Sequence, residues 1–217
     1  MRTQTALLAR RPAPAPAANE DADALEVAGS VKTFARDQEV FGEGESAELV
    51  YKVITGAVRT FRVLADGRRQ ICDFYLPGDV FGVELGDDRT ATAEVVADTM
   101  LIVARRASVA GMPGAGAKLW RHAARDLERT REHALTLGRR SACERVASLL
   151  LEMAERTGAK EALELPMSRQ DMADYLGLTI ETVSRTLTQL QGDRVIDAHG
   201  CRRVRFIDRD ALSELCQ

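Results

Sequence analysis

The 217-residue chain contains no run of 18 apolar residues, so its sequence predicts no membrane-spanning helix and no membrane partner. It also lacks an excess of basic charge: 30 Lys and Arg residues stand against 33 Asp and Glu residues, and the formal net charge is -3. Nucleic acid therefore cannot be bound through a general positive charge, and any such contact needs a local basic patch. Hydrophobic residues make up 45% and charged residues 29%, which is typical of a globular chain with enough apolar material for a core.

Cysteine is scarce and scattered. The four residues form no Cys-x-x-Cys pair and no metal-ligand spacing with histidine: Cys72, Cys143, Cys201 and Cys216. This pattern predicts neither a disulfide framework nor a metal site, and it fits a protein of the reducing cytoplasm. The amino terminus agrees, because Leu7 and Leu8 are too few to form the apolar core of a secretory signal. Cys201 precedes Arg202 and Arg203, which can lower the pKa of its thiol, so it is a candidate redox residue.

Four segments with different patterns divide the chain. Residues 1–24 contain alternating prolines and predict a disordered tail. Residues 25–112 consist of short apolar runs separated by glycine-containing turns, a pattern typical of a β-sandwich, roll or barrel. Between two of these runs, Asp66-Gly67 predicts a β-hairpin with a type I′ turn. Residues 113–140 predict one helix, and residues 141–217 predict several helices with a closing hairpin.

The helix predicted within residues 113–140 is amphipathic and about six turns long. Its apolar stripe is a candidate dimer interface and consists of Trp120, Ala123, Leu127, Ala134 and Leu137. Packing on its own domain is one interpretation, and a dimer seam is the other. The seam is favoured because so long a helix can hardly bury its whole stripe on one small β domain. Thr130 and Arg131 interrupt the stripe, so a strict heptad is not established.

Two helices separated by a glycine are the most informative pattern. Ser168 is placed to cap a helix ending at Leu176, Gly177 is the turn residue, and Thr179 is placed to cap a second helix. The apolar face of that second helix is predicted to comprise Ile180, Val183, Leu187 and Leu190. This is a helix-turn-helix layout, although a generic pair of antiparallel helices gives the same pattern.

The polar side of the second helix favours DNA as the partner. Glu181 can accept a hydrogen bond from the cytosine amino group, and Arg185 can bind guanine with both arms of its guanidinium. An ordinary ion pair between these two side chains is the alternative, and the two interpretations are compatible. Residues 179–209 carry six Arg against four acidic residues, a local balance of +2. The hairpin predicted near His199-Gly200 is placed to act as a wing on phosphates.

Residues 167–185 resemble the winged helix-turn-helix of the cAMP receptor protein/FNR superfamily. Residues 41–45, 51–56 and 75–82 are similar to the β-roll of the same superfamily, and the likeness extends over about residues 27–212 in family order. The resemblance implies an α+β fold with an N-terminal β-roll, a long dimerisation helix and a C-terminal winged helix-turn-helix. It also implies a homodimeric transcription regulator with RNA polymerase as a partner, and no enzyme is expected.

Within that superfamily, Glu181-Thr182-Val183-Ser184-Arg185 resembles the recognition helix of the FNR and FixK branches. The resemblance implies a TTGAT-type half-site in a palindromic operator, in front of genes for low-oxygen respiration or nitrogen metabolism. The implied base-reading residues are Glu181, Ser184 and Arg185. The predicted DNA-backbone contacts are Arg169, Thr179, Thr182, Arg202 and Arg203.

The sequence departs from the family at both of its usual signal sites. No cysteine precedes Cys72, so the iron–sulfur cluster of FNR-type sensors is not expected. The loop Gly82 to Thr90 has an extra residue before Glu84 and two added acids before Arg89, so the cyclic-nucleotide site is not expected to work. We therefore predict no cofactor, as in the FixK group. The alternatives are a sensor gated by a cyclic nucleotide or haem, and a nucleotide-binding module that acts only on protein partners.

Overall fold

The computed structural model describes residues 29–200 and 202–216 and has an α+β fold. An antiparallel β-roll comes first, a long helix follows, and a winged helix-turn-helix comes last. This order agrees with the predicted fold class. The predicted tail, residues 1–24, and the candidate thiol Cys201 lie outside the described residues.

The elements of the first half are the strands of the roll and a short helix. They are β1 Ser30–Phe34, β2 Glu39–Phe41, β3 Leu49–Thr55, β4 Val58–Val63, β5 Arg69–Tyr75, β6 Val80–Phe81, β7 Thr92–Val95, β8 Thr99–Arg105 and α1 Arg106–Ala110. The second half is mainly helical. Its elements are α2 Ala115–Arg139, α3 Ala142–Thr157, β9 Ala162–Glu164, α4 Arg169–Leu176, α5 Ile180–Gly192, β10 Ile196–His199, β11 Arg203–Phe206 and α6 Arg209–Glu214.

The roll is made of two four-stranded antiparallel sheets, in the orders β1-β8-β3-β6 and β2-β7-β4-β5. Alternate side chains point inward from both sheets and form a buried apolar cluster, in which the ring of Phe81 stacks on Tyr51 at 5.1 Å between centroids. The five strands predicted from apolar runs are confirmed as β3, β4, β5, β7 and β8. The pattern missed β1, because most of its residues are exposed and no alternation marks them.

The hairpin predicted at Asp66-Gly67 is confirmed, because β4 and β5 pair antiparallel on either side of it. The predicted turn type is wrong. Gly67 has a φ of 82°, but Asp66 is not among the described non-glycine residues with positive φ, as a type I′ turn requires. The Asp66 carboxylate instead accepts a hydrogen bond from the backbone N–H of Arg68 at 3.0 Å, which stabilises a local Asx-type turn.

Helix α2 has two different long faces. The face turned toward its own chain is partly or fully buried at Leu119, His122, Asp126, Arg129, His133 and Thr136. The opposite face is apolar and open: Trp120 is 75% exposed and Leu127 is 51% exposed, and Ala123 and Ala134 are exposed as well. The predicted apolar stripe is therefore largely exposed to solvent in the monomer.

Leu137, the last residue of the predicted stripe, is less exposed than the others, and its place at the dimer interface stays a prediction. It lies fourteen positions after Ala123 of the stripe, which leaves it only about 40° away around the helix axis. Its side chain is half-buried, and its carbonyl accepts a hydrogen bond from Arg145 at 2.8 Å. Leu135 is also exposed, at 56%.

In the C-terminal part, α3 and α5 pack against the three-stranded sheet β10-β11-β9, and α4 packs against α3 and α5. Its core does not end at the boundary with the roll. Ile71 and Phe74 of β5 belong to the same buried cluster as Met172 and Tyr175 of α4. Within the described residues, no helix combines the length and the apolar character needed to cross a membrane.

Candidate nucleic-acid interface

Local hydrogen bonds form the helix-turn-helix as the sequence predicts. The Ser168 hydroxyl accepts from the backbone N–H of Asp171 at 3.1 Å, and the Asp171 carboxylate accepts from the backbone N–H of Ser168 at 3.0 Å. Gly177 ends α4 with a φ of 62°, in the left-handed region. The Thr179 hydroxyl accepts from the backbone N–H of Thr182 at 3.2 Å and caps α5.

Helix α5 turns one face to the core and one to the outside. Val183, Leu187 and Leu190 are buried as predicted, whereas Glu181 and Arg185 are exposed. Ser184 and Thr182 are half-buried at the edge of the outer face.

Ile180 is 37% exposed, so its predicted place in the core is wrong. It is the first residue of α5, and the buried stripe begins one turn later, at Val183. Ile180 instead lines a cleft of about 820 Å³ between the start of α5 and the β4–β5 hairpin.

The charged side chains Glu181 and Arg185 at the start of α5 interact with neighbouring residues of the same helix and its cap. The pKa of Glu181 is lowered, first by a hydrogen bond from its own backbone N–H, then by one from Thr179 and by the nearby charge of Arg185. Arg185 Nη2 donates to Thr182 Oγ1 at 3.3 Å. These contacts hold an ionised acceptor and a guanidinium side by side on the outer face, as reading a C·G pair would require.

Arg169 joins the recognition helix to the wing. Its Nη1 donates to Ser184 Oγ at 3.4 Å, and its Nη2 donates to the carbonyl of Gly200 at 3.3 Å. Its Nε is buried and has no hydrogen-bond partner in the described structure. The side chain therefore reaches both elements that are expected to face DNA.

The wing is the predicted hairpin, with β10 and β11 paired antiparallel. Gly200 lies at the tip with a φ of 65°. Arg203 is exposed and Arg202 is half-buried, while Arg205 is paired with Asp197 at 2.9 Å. Two arginines of the wing are thus placed at the surface beside α5, where phosphates would lie.

Sequence reasoning missed a second role of Asp171, which it treated only as a favourable charge at the start of α4. The Asp171 carboxylate also accepts hydrogen bonds from Arg59 and Arg69 of the roll, both at 2.8 Å. These partners are 112 and 102 residues away along the chain, so no local pattern signals the pairing.

The roll contains a cavity of about 350 Å³ at the place where the family resemblance implies a cyclic nucleotide. Its lining includes Gly82, Glu84 and Thr90. Glu84 already accepts a hydrogen bond from the Thr90 hydroxyl at 3.1 Å. Arg89 is only 3% exposed.

The buried guanidinium of Arg89 is bonded to the protein itself. It donates to the carbonyls of Gly82 at 2.7 Å and Leu49 at 2.6 Å, and it lies 4.1 Å from the centroid of the Phe41 ring. A phosphate could reach it only after these contacts break, so the residues present do not fit a cyclic nucleotide. In the described part of the chain, no cluster of His, Cys, Asp or Glu could hold a metal ion.

Two family models match the chain. The model of the cyclic nucleotide-binding domain covers residues 31–112, and that of the Crp-like helix-turn-helix domain covers residues 144–215. The chain is 44% identical over 211 residues to a nitrogen fixation regulation protein FixK of Azorhizobium caulinodans, covering 92% of this chain and 85% of the relative. It is 35% identical over 210 residues to the transcriptional activator protein FnrL of Cereibacter sphaeroides, covering 90% of this chain and 84% of the relative.

A solved structure of FixK2 from Bradyrhizobium japonicum has the same architecture. It superposes with a TM-score of 0.83 at 44% sequence identity, covering 87% of this chain and 98% of that chain.

Proposed function

Because the chain belongs to the Crp/FNR family of DNA-binding transcription regulators, we propose that it binds a palindromic operator with TTGAT-type half-sites as a homodimer and without a cofactor. Its relatives are transcription regulators, and the chain is not an enzyme. We propose that it activates genes of nitrogen fixation or low-oxygen respiration, acting in the cytoplasm and in contact with RNA polymerase.

The outer face of α5 carries the proposal of sequence-specific binding. Glu181, Ser184 and Arg185 lie together there, next to the helix N-terminus, where a recognition helix contacts base edges. We assign base reading to these three side chains. Backbone contacts are assigned to Arg169, Thr179, Thr182, Arg202 and Arg203.

The buried state of Arg89 supports binding without a cofactor. The Arg89 guanidinium, which a cyclic phosphate would need, is buried in the roll, and its Nη1 and Nη2 already donate to two carbonyls, while its buried Nε has no hydrogen-bond partner in the described structure. The neighbouring Asp87 and Asp88 add negative charge to the same loop, which disfavours an anion. A ligand that gains nothing from binding one conformation over another cannot switch the protein.

The open face of α2 supports the homodimer. Trp120, Ala123, Leu127 and Ala134 form an apolar stripe with no partner among the described residues of the monomer. A second copy of α2 would cover it and place two recognition helices one helical turn of DNA apart. We accordingly assign the roll to residues 25–112, dimerisation to residues 113–140 and DNA binding to residues 141–217.

Operator binding by extensively dialysed protein tests the proposal. Fluorescence anisotropy would compare a duplex carrying the TTGAT palindrome with one in which the G·C pair of each half-site is replaced by A·T. Wild-type protein is expected to prefer the palindrome by about 1–3 kcal/mol per substituted pair. Adding cAMP is expected to leave the affinity unchanged. A tenfold or greater gain with cAMP or haem would establish the ligand-gated alternative, and equal affinity for both duplexes would refute the operator assignment.

A further inference from the structure

Helix α4 has a second packed face, opposite to the one that packs inside the helix-turn-helix. Met172, Ala173 and Leu176 face the core of the DNA-binding part. Asp171, Asp174 and Tyr175 stand at i, i+3 and i+4, so they share a side of the helix. This second side is turned to the roll and to α2.

Two carboxylates on this side hold two arginines of the roll. Asp171 is 2% exposed and accepts from Arg59 Nη1 and Arg69 Nη2, both at 2.8 Å. Asp174 accepts from Arg69 Nε at 2.8 Å. Arg59 is only 8% exposed and also pairs with Glu94 within the roll. A buried pair of this kind is costly to break, because one charge is then left unpaired away from water.

An aromatic stack continues the same contact surface. The ring of Tyr175 meets Phe74 of β5 edge to face, at 5.3 Å between centroids and 61° between planes. On its other side it stacks on His133 of α2, at 4.0 Å and 16°. Tyr175 therefore touches the roll and the long helix at once, and its carbonyl accepts from Gln70 Nε2 at 3.3 Å.

We propose that Asp171, Asp174 and Tyr175 form a docking joint that fixes the orientation of the helix-turn-helix relative to the roll and α2. The joint acts through α4 on α5, so its members and their partners Arg59 and Arg69 are positioning residues for DNA binding. This inference rests on the proposed dimeric, cofactor-free function. It explains how the two recognition helices keep one separation when no ligand sets it.

The physical effect of the joint is preorganisation. A dimer engages both half-sites only when the two α5 helices have the correct spacing and direction. If the joint loosens, the fraction of dimers in that arrangement falls, and the apparent affinity for the full operator falls by the same factor. Binding of one helix-turn-helix to an isolated half-site does not depend on that arrangement.

Arg69→Ala in the full chain tests the joint without altering the helix-turn-helix itself. The matched control is Arg62→Ala, which removes an arginine of the neighbouring strand whose ion pair, with Glu43 at 2.9 Å, stays within the roll. Affinities would be measured for the palindrome, for the palindrome with one added central base pair, and for a single half-site. Hydrogen exchange of α4 and β5 would be measured in protein without DNA.

Arg69→Ala is expected to weaken binding to the palindrome about tenfold, to leave half-site binding unchanged and to reduce discrimination against the altered spacing. Exchange in α4 and β5 is expected to rise. The control should match wild type in every measurement, and the swap Arg69→Asp with Asp174→Arg should restore part of the loss.

An unchanged ratio of palindrome to half-site affinity in folded Arg69→Ala would overturn the positioning role. Unchanged hydrogen exchange would overturn the joint itself, whatever the operator. Failure of wild-type protein to bind the palindrome would refute the proposed function instead, because the exchange measurement needs no DNA.

Discussion

Arg185 and Arg202 are both candidate DNA contacts, but their positions predict different effects. Arg185 stands on the outer face of α5, where base edges are within reach, and Arg202 stands on the wing. Arg185→Ala is expected to cost about 1–3 kcal/mol per half-site and to relax the preference at the G·C pair. The measurement is affinity against a panel of operators substituted at that pair.

Arg202→Ala is the control for base reading. It should weaken all operators alike and lower the salt slope of binding by roughly one unit, as loss of one phosphate contact does. If Arg185→Ala weakens every operator equally as well, Arg185 is a phosphate contact and its assignment as a reading residue is wrong.

Asp73 predicts a pH effect on stability. Burial raises the pKa of its carboxyl to about 6, against the opposing charges of Arg129 and Arg156. Several further acids stand near these two arginines, including Asp79 at 2.7 Å from Arg156. Because the folded state then holds the Asp73 proton more tightly than the unfolded state, this group adds stability as the pH falls from about 6 toward 4.

Asp73→Asn removes that titration. The free energy of unfolding of wild type, relative to the variant, is expected to rise between pH 7 and pH 4, by at most about 3 kcal/mol. Urea unfolding at several pH values measures it. Asp66→Asn is the matched control. Hydrogen bonds from Arg68 lower the pKa of the exposed Asp66 carboxyl below its usual value of 3.8, so its contribution to stability is lost only as the pH falls below that value, and its difference from wild type should stay nearly flat between pH 7 and pH 4. A pH-independent difference between wild type and Asp73→Asn would contradict the argument.

At the scale of one element, α2 combines a polar face toward its own chain with an apolar face toward solvent. Leu127→Asp is expected to convert the protein to a monomer and to weaken operator binding. In a monomer the charge stays in water, whereas a dimer seam would bury it. Sedimentation measures the mass, and Glu132→Ala, also exposed but away from the stripe, should leave the mass unchanged. A wild-type monomer at micromolar concentration would refute the seam.

The ends of helices can be predicted from the sequence where they depend only on neighbouring residues. The caps at Ser168 and Thr179 and the helix end at Gly177 follow from residues within one turn, and the structure confirms them. Exposure at an element's end is harder to predict, as Ile180 shows, because it depends on which neighbours the first turn meets. The same holds at the end of α2, where Leu137 is half-buried and its carbonyl accepts a hydrogen bond from Arg145 of α3.

The docking of α4 on the roll was beyond sequence reasoning for a different reason. Asp171 would form the capping box with Ser168 even without an arginine partner from the roll. The local sequence therefore gives no sign of its ion pair with Arg59. Arg89 is similar, since the sequence allows a phosphate ligand and only the fold shows the side chain bonded to Gly82 and Leu49. The partners of such residues are determined by tertiary contacts. Most of the positioning residues proposed for DNA binding are of this kind.

At the scale of the whole molecule, two of the buried clusters to which the roll contributes differ in what they join. One lies between its own sheets and includes Phe81. The other is shared with the DNA-binding part and includes Phe74, which is fully buried and contacts Tyr175. A core that spans both parts couples their stabilities, because a cavity in it weakens the packing of both at once.

Phe74→Ala and Phe81→Ala therefore form a matched pair. Each removes a buried ring and is expected to cost about 3–5 kcal/mol. Native-state hydrogen exchange is expected to show that Phe74→Ala lowers the protection of α4 and α5 along with that of β5, whereas Phe81→Ala lowers protection mainly within the roll. Wild-type levels of protection in α4 and α5 of Phe74→Ala would mean that the two parts open independently. The helix-turn-helix would then have no fixed relation to the roll, and the spacing of the two recognition helices would have to be set by α2 alone.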